Sequence, residues 1–581
     1  MMCIKNSISK TIILLFIIFS STLLFAAHVQ LTVKIEGIKG NILENVNKYL
    51  SLEKQKKDKS LAESNIEYLY NKAPQEIKNA LIPFGYYNPV IQHSFLKNAH
   101  KIITSFIVNP GPPTIINELN ITVKGYGADD SVFKNIIYPL HKGDILNHFM
   151  YEKTKSILQN TALEYGYLDA YFVTSRVSVE KNLNQSQVTI EFDTGPQYLF
   201  GHVTFKQHNF KNKFLDKFVN FKPGDPYNSS TMLDFQNGLN SSDYFSVVDI
   251  RPRKDLTEGH KIPLDVGLTS RKKYKFLLGL GYGTDTGPRG SIGWENRRVN
   301  SRGHRFKSMY QQSLIRKNLS SIYDIPLKNP LTDKLSLYAG WKTEDVETST
   351  SETISAGVRA SKMYFGFLHS IFIDYLDEFF TIADTRTRTR LFIPGASFNR
   401  RKADNFLYPH RGYKLNLELK STDRFLGSDI SFFQSTLNGK YFNSLFNEQR
   451  FIIRLESGVT KTSQFDELPA SLRFFAGGDN SIRGYGYKTL GPKDSSGDVI
   501  GGRYLMAGSV EYEIKLIQTM SAACFYDIGN AFEEITNEFK KGAGIGLRWR
   551  SPVGPIRLDF AYPINDKDKS LRIHISMEPD L

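Results

Sequence analysis

The hydrophobic rhythm of the chain changes once along its length. From Val29 to about Ser270, short alternating runs are interleaved with helical stretches. From about Lys273 onward the helical period disappears and strict alternation takes over. Leu415, Leu417 and Leu419 alternate with Lys414, Asn416, Glu418 and Lys420, and Ile556, Leu558, Phe560 and Tyr562 with Arg557, Asp559 and Ala561. Leu571, Ile573 and Ile575 alternate in the same way with Arg572, His574 and Ser576. Successive side chains of a strand point to opposite faces, so each run is apolar on one side and polar on the other. A soluble sandwich alternates too, but no charged residue falls on the apolar faces traced here. Lipid outside and water inside fit better. About 310 residues at roughly 19 per strand and turn predict a transmembrane antiparallel β-barrel of about 16 strands over 271–581. Tyr282, Trp294, Tyr338, Trp341 and Trp549 are the candidates for interfacial girdles.

The first part repeats with a period near 80 residues. Each unit opens on an alternating strand: Leu31–Ile35, Leu119–Val123 and His202–Phe205. Helical stretches follow around 63–81, 131–165 and 210–240. A tyrosine-rich turn comes next: Phe84-Gly85-Tyr86-Tyr87, Tyr165-Gly166-Tyr167, then Asp243-Tyr244-Phe245. Two strands close each unit, the last being 102–108, 187–192 and 262–268. Gly143-Asp144 and Gly224-Asp225 recur between the helices, where a tight turn with a side-chain cap is called for. This predicts three small α+β modules at 28–112, 113–196 and 197–270.

Ahead of them, Lys5 and Lys10 precede an apolar run from Thr11 to Phe25 that stops at Ala26-Ala27, the form of a secretory signal peptide over 1–27. No later stretch approaches the ~20 apolar residues of a membrane helix. Composition agrees: 40% hydrophobic, 41 Phe and 30 Tyr against 3 Trp, with a mean hydropathy of −0.32. The charge of +15 is spread along the chain without an aromatic-interleaved basic block, so it reads as solvated faces and lumen charges rather than a nucleic-acid surface. Of the two cysteines, Cys3 lies in the leader, leaving Cys524 as a packing residue, with no disulfide, metal cluster or cofactor implied.

One run carries candidate mechanism. In Phe475-Ala-Gly477-Gly478-Asp-Asn-Ser481-Ile482-Arg483-Gly484-Tyr485, glycines surround an apolar, a cationic and an aromatic residue. A loop in open water has little use for Ile482 and Tyr485. One folded into a lumen does, and it would place Arg483 opposite carboxylates. No catalytic set accompanies it. Gly279-Leu-Gly281-Tyr-Gly283 and Gly542-Ala-Gly544-Ile-Gly546 echo dinucleotide loops, but neither opens a helix after a strand. Gly478-Asp479-Asn480-Ser481 lacks a histidine partner for hydrolysis. The chain is expected not to be an enzyme.

The modules resemble POTRA domains, the periplasmic repeats of the bacterial outer-membrane insertase superfamily that includes the BamA and TamA branches. The glycine-rich run resembles its [VI]RG[FY] loop. Three further segments resemble its other barrel motifs in the family's order. They are Pro409-His-Arg-Gly412, Phe525-Tyr-Asp527-Ile-Gly529, and Gly542 to Arg548 continuing through Ser551-Pro-Val-Gly554 to Asp559. Together they cover nearly the whole chain beyond the leader. Three modules and the ending Met577-Glu-Pro-Asp-Leu581 resemble the TamA branch most.

By that resemblance Arg483 salt-bridges inside the barrel with Glu511 and Asp527. Alternation supports Glu511, since Val510, Tyr512 and Ile514 take the opposite face. The resemblance also implies a seam between the first strand (about 273–283) and the short last one (about 571–576), with Gly279, Gly281, Gly283, Ile573 and Ile575 as its residues. Glycines weaken a strand, and an openable edge can template an incoming one. The implied function is an outer-membrane assembly factor. It would insert barrel proteins such as autotransporters, or move phospholipid, together with a TamB-like inner-membrane-anchored partner. A BamA-like general insertase and a passive secretion pore are the alternatives. Lipid bilayer and unfolded outer-membrane proteins are the implied partners, with the modules in the periplasm.

Overall fold

In the computed structural model the described residues are 30–58, 62–98, 101–445, 448–534, 538–551, 554–566 and 570–577. The leader and the last four residues lie outside them. Chain contacts define two units. One runs to His202 and adds Lys222–Met232 and Lys254–Pro263; the other holds Val203–Phe221, Leu233–Arg253 and everything from Leu264 onward.

Three small sheets share one topology. β1 (Gln30–Glu36), β2 (Val90–Asn98) and β3 (Lys101–Asn109) pair in the order β1-β3-β2. β4 (Ile115–Lys124), β5 (Tyr171–Glu180) and β6 (Gln185–Asp193) follow as β4-β6-β5, and β7 (Leu199–Lys206), β8 (Phe245–Pro252) and β9 (Lys261–Ser270) as β7-β9-β8. The closing strand is central each time and buries alternate residues: Ile102, Phe106 and Val108, then Val188, Ile190 and Phe192, then Ile262, Leu264 and Val266. Against the first sheet lie α1 (Gly40–Tyr49), α2 (Ser51–Gln55) and α3 (Glu63–Leu81). α3 buries Ile66, Leu69, Ala73, Ile77 and Ala80 at helical spacing. α1, absent from the sequence reading, had a signal in Ile42, Leu43, Val46 and Leu50. The second module holds α4 (Ser131–Lys134) and α5 (His148–Glu164), the third α6 (Asn212–Leu215) and α7 (Ser229–Ser241).

The repeat persists to single hydrogen bonds. Gly143 and Gly224 adopt φ of +94° and +96°, and the next residue closes the turn. Asp144 Oδ2 accepts from His141 N at 2.8 Å, and Asp225 Oδ2 from Lys222 N at 2.7 Å. Asn147 and Asn228 then cap the following helices, accepting from Phe149 N and Ser230 N, each at 2.9 Å. The tyrosine turns join consecutive modules. Gly85 O accepts from Thr114 N, and Gly166 O from Tyr198 N, both at 2.8 Å. Both glycines have positive φ (+86° and +85°), and a Cβ on either would lie 2.5 Å from a carbonyl of the next module, Leu146 O or Tyr227 O. Side chains reinforce each junction: Tyr87 Oη meets His148 Nε2 at 2.8 Å, and Asp169 is paired by Lys254 and accepts from Tyr198. That bond pushes the Tyr198 phenol up to about 12, while Lys254 and Tyr198 together hold Asp169 below the usual carboxylate range.

In the third module an aspartate takes the left-handed position before the tyrosine: Asp243 has φ +59°. Its carboxylate accepts from Arg297 Nε at 2.8 Å, where the barrel's 297–304 turn begins. Tyr244 Oη donates to Gly303 O at 2.5 Å in the same turn, and the Arg305 guanidinium lies 3.8 Å over the Tyr244 ring. Lys217 Nζ adds a bond to Pro326 O at 3.0 Å.

Sixteen antiparallel strands, β10 (Tyr274–Gly283) through β25 (Arg572–Met577), close into a barrel, the number expected. Inward positions carry the polar groups: on β14 (Lys334–Val346) Ser336 and Glu344 are buried, and on β16 (Phe367–Ile382) Ser370 and Glu378, with Ile371 and Ile373 exposed outside. Two readings need correction. Tyr338 shares the inward phase of β14 and bonds Asp374, so it is a lumen residue and not part of a girdle. Cys524 is exposed, on the outward phase of β22 (Met520–Phe532), and does not pack in a core.

Candidate functional site: the lumen loop and the seam

Between β20 (Gln449–Lys461) and β21 (Tyr504–Ile517) the chain does not turn back at once. It folds over 462–503 with Ile482, Arg483 and Tyr485 all buried. Ile482 and Tyr485 pack with Ala476 and Leu490, so an apolar knot within the loop fixes the guanidinium between them. Three glycines make the path possible. Gly477, Gly478 and Gly484 have φ of +96°, +105° and +95°, and a Cβ on Gly477 would lie 2.3 Å from Gly486 O.

Arg483 uses its whole donor set. Nε and Nη2 reach Asp527 Oδ2 and Oδ1 at 2.8 and 2.9 Å, a bidentate fork, while Nη1 donates to Glu511 Oε2 at 2.7 Å. Nη1 also reaches Asp559 Oδ2 at 3.2 Å, and Nη2 reaches Ser509 Oγ at the same distance. The Phe525 ring lies 3.4 Å beneath the guanidinium. The structure therefore brings Arg483, Glu511 and Asp527 together. Asp527 and Phe525 share the inward phase of β22, whose buried positions are alternate residues from Ser521 to Ala531.

Residues not singled out by sequence extend the network. Arg548 pairs with Glu511 at 2.8 Å and Asp559 at 2.6 Å, and Arg450 forks onto Glu513 at 2.9 and 2.7 Å. Tyr408, beside Pro409, donates to Glu513 at 3.0 Å, and Pro409 O accepts from Arg450 at 3.1 Å. The Pro409–Gly412 turn thus touches the same carboxylates. Glycines on β23 (Lys540–Ser551) clear the seat: a Cβ at Gly542 would lie 2.1 Å from Arg483 O, and one at Gly546 2.0 Å from Asp559 Oδ1. Across the lumen, Lys488 pairs with Glu344 at 3.2 Å. The loop is thus tied to opposite walls.

At the seam, β10 pairs with its neighbour β11 (Gly287–Asn296) along its whole length. With β25 it shares a single register pair among the described residues, Gly283 with Ser576. Gly279 and Gly281 face inward and line a cavity of about 430 Å³ that also touches Arg289 and Met577. Ile573 and Ile575 take the outward phase of β25. Among the described residues Gly279, Gly281 and Ile573 have no cross-seam register partner, and the described contact lies at Gly283. Just beyond, Thr284 N donates to Ile575 O at 2.9 Å, and Ile575 N to Thr284 Oγ1 at 2.6 Å. On the outward face of β10 Leu280 is 90% exposed and Leu278 82%. Among the described residues the β10–β25 register contact is confined to the Gly283 end of β10.

Comparison with known proteins gives a consistent assignment. A model described as "Omp85 superfamily domain" matches residues 256–577. One described as "POTRA domain TamA domain 1" matches 32–110, and a POTRA model, "Surface antigen variable number repeat", matches 116–195 and 198–269. The outer membrane protein assembly factor BamA of Nitratidesulfovibrio vulgaris is 22% identical over 490 residues, 80% of this chain and 61% of that protein. BamA of Neorickettsia risticii is 23% identical over 383 residues, 60% of this chain and 51% of its own length. The chain thus spans between half and two thirds of the length of these relatives. The crystal structure of Haemophilus ducreyi BamA lacking POTRA domains 1–3 superposes with a TM-score of 0.67 at 16% identity, covering 80% of this chain and 99% of that one. At that identity the likeness speaks for the fold.

Proposed function

The chain belongs to the Omp85 superfamily, and from that premise we propose that it is a TamA-type assembly factor working through its seam. It is an outer-membrane β-barrel with N-terminal POTRA domains in the periplasm. In the proposed mechanism an unfolded client presents a strand to the edge of β10 that faces β25, and pairs with it. Chain after chain of hydrogen bonds can then be exchanged from the edge into the bilayer without nucleotide hydrolysis. The single observation that carries this reading is the asymmetry of β10, which among the described residues is paired throughout with β11 and at one residue with β25.

The TamA assignment rests on the first module matching a model described as "POTRA domain TamA domain 1". It implies a TamB-like inner-membrane-anchored partner, and autotransporters or phospholipid as cargo. A BamA-like general insertase is the second reading, favoured by the curated relatives named BamA. A passive pore fits less well, because the loop tied to both walls obstructs the lumen.

The test is a lock. Gly283→Cys and Ser576→Cys, introduced with Cys524→Ser, would join the one paired position. Oxidised, the protein is expected to lose client insertion into liposomes and to regain it on reduction. Full insertion by the locked barrel would remove the lateral route.

A further inference from the structure

A set of polar contacts at the seam lies outside the Arg483 network. His574 is on β25 with its side chain turned inward and 2% exposed. Both of its ring nitrogens are engaged by the lumen loop. Nε2 accepts from Gly484 N at 3.0 Å. Its lone pair is therefore spent on the backbone, and Nδ1 carries the hydrogen given to Asp479 Oδ1 at 2.5 Å. Asp479 in turn donates its own backbone N–H to Asp285 Oδ2 at 2.6 Å. Asp285 sits in the turn between β10 and β11, next to Thr284, which bonds Ile575 on β25. The path closes on itself: last strand, loop, first hairpin, last strand. Asp285, Asp479 and His574 also lie close enough to suggest a metal site, but each of the two imidazole nitrogens already has a partner, so the geometry describes a clasp.

The clasp sits at the seam, beside the described contact between the first and last strands. Gly283 and Ser576, the only register pair across it among the described residues, are each one or two residues from a clasp member. His574 pairs in register with Asp559 on β24 (Gly554–Pro563), and Asp559 is a partner of Arg483. Gly484, whose N–H the imidazole accepts, follows Arg483 directly. Gly484 holds a left-handed φ of +95°.

We infer that His574 is a positioning residue that makes seam closure depend on the seating of the lumen loop. While the loop is seated, its Gly484 N–H and Asp479 carboxylate hold β25 against β10. When the loop lifts, the last strand loses its inward anchor and is held to the first by the Gly283–Ser576 pair and the Thr284–Ile575 bonds. This rests on the seam being the working edge, but it concerns what holds the seam shut rather than what passes through it.

The test reads closure directly and needs no client. In outer-membrane vesicles, the Gly283→Cys/Ser576→Cys pair in a Cys524→Ser background reports closure as the yield of disulfide under mild oxidation. A Cβ at Gly283 would lie 3.2 Å from Thr286 Oγ1, the end of a rotatable side chain that can give way. His574→Ala is expected to lower that yield several-fold while the barrel keeps its heat-modifiable gel migration. His574→Gln, which can restore an acceptor to Gly484 N–H, is expected to recover part of it. Asp479→Ala breaks the clasp from the loop side and leaves β25 unaltered, so it covers the case in which His574→Ala fails to fold. An undiminished yield in both alanine variants would overturn the inference. It would leave the proposed function standing, since that is judged by insertion through the locked barrel.

Discussion

Arg483 shows how much a single residue holds. Its guanidinium satisfies Asp527 through a fork and bonds Glu511 and Asp559 besides, all of them buried. Arg483→Ala leaves these carboxylates facing one another with Arg548 and the weaker Arg454 contact as remaining cations. Removing one partner of a buried pair costs about 3–5 kcal/mol. The expected outcome is an unseated loop, seen as new trypsin cleavage within 462–503 in folded barrel. Arg483→Lys should behave much the same, because an ammonium cannot reproduce the fork. A loop as protease-resistant as the parent in either variant would count against this account. At this scale the sequence was partly legible. Alternation placed Glu511 inward, and the burial of Ile482 and Tyr485 followed from their chemistry. Arg548 and Asp559 lay within the last of the resembling barrel motifs and His574 on an alternating strand, but nothing in the sequence marked any of the three as meeting Arg483 or its loop. Which members of a face meet depends on the stagger of strands far apart in sequence, and alternation carries no information about that.

Elements were more legible than contacts, because one face of each is buried against something continuous. Period-two runs marked the barrel strands and the central strands of the modules. The Gly-Asp turns marked where helices break. α1 escaped because its apolar positions are few and a polar stretch follows at once. The module junctions escaped because glycine and tyrosine turns look alike whether or not another module rests on them. The first junction has a pH dependence. Burial lowers the His148 imidazole below its ordinary value of 6.5, with Glu152 opposing. The folded junction therefore favours neutral His148, whereas the unfolded chain takes up its proton near 6.5. As pH falls through that value the unfolded state binds more protons and the junction weakens; above it nothing is lost. Limited proteolysis between the first two modules of the full chain should quicken between pH 7.5 and 5.5. His148→Asn should flatten that change, and an equal change in the variant would assign it elsewhere.

For the whole molecule, the question is what the three modules reach. A TamA-type and a BamA-type factor can share the barrel, the loop and the seam, so the distinction lies in the periplasmic partner. β2 is an outer strand of the first sheet, bonded only to β3, and such an edge can accept a strand from another chain. Leu96 on that strand is 61% exposed. Tyr87 is less suited as a probe, because its hydroxyl is engaged by His148. A photoreactive residue at Leu96, activated in living cells, should capture a large β-rich protein anchored in the inner membrane if the TamA-type reading holds. An edge that adds a strand should also lose the crosslink when a proline is placed at His93, which removes a backbone donor from the middle of β2. Recovery of small outer-membrane lipoproteins and nascent barrels alone would instead favour the BamA-type reading. The seam mechanism would be unaffected, since the edge that receives clients belongs to the barrel and the edge that recruits a partner belongs to the arm.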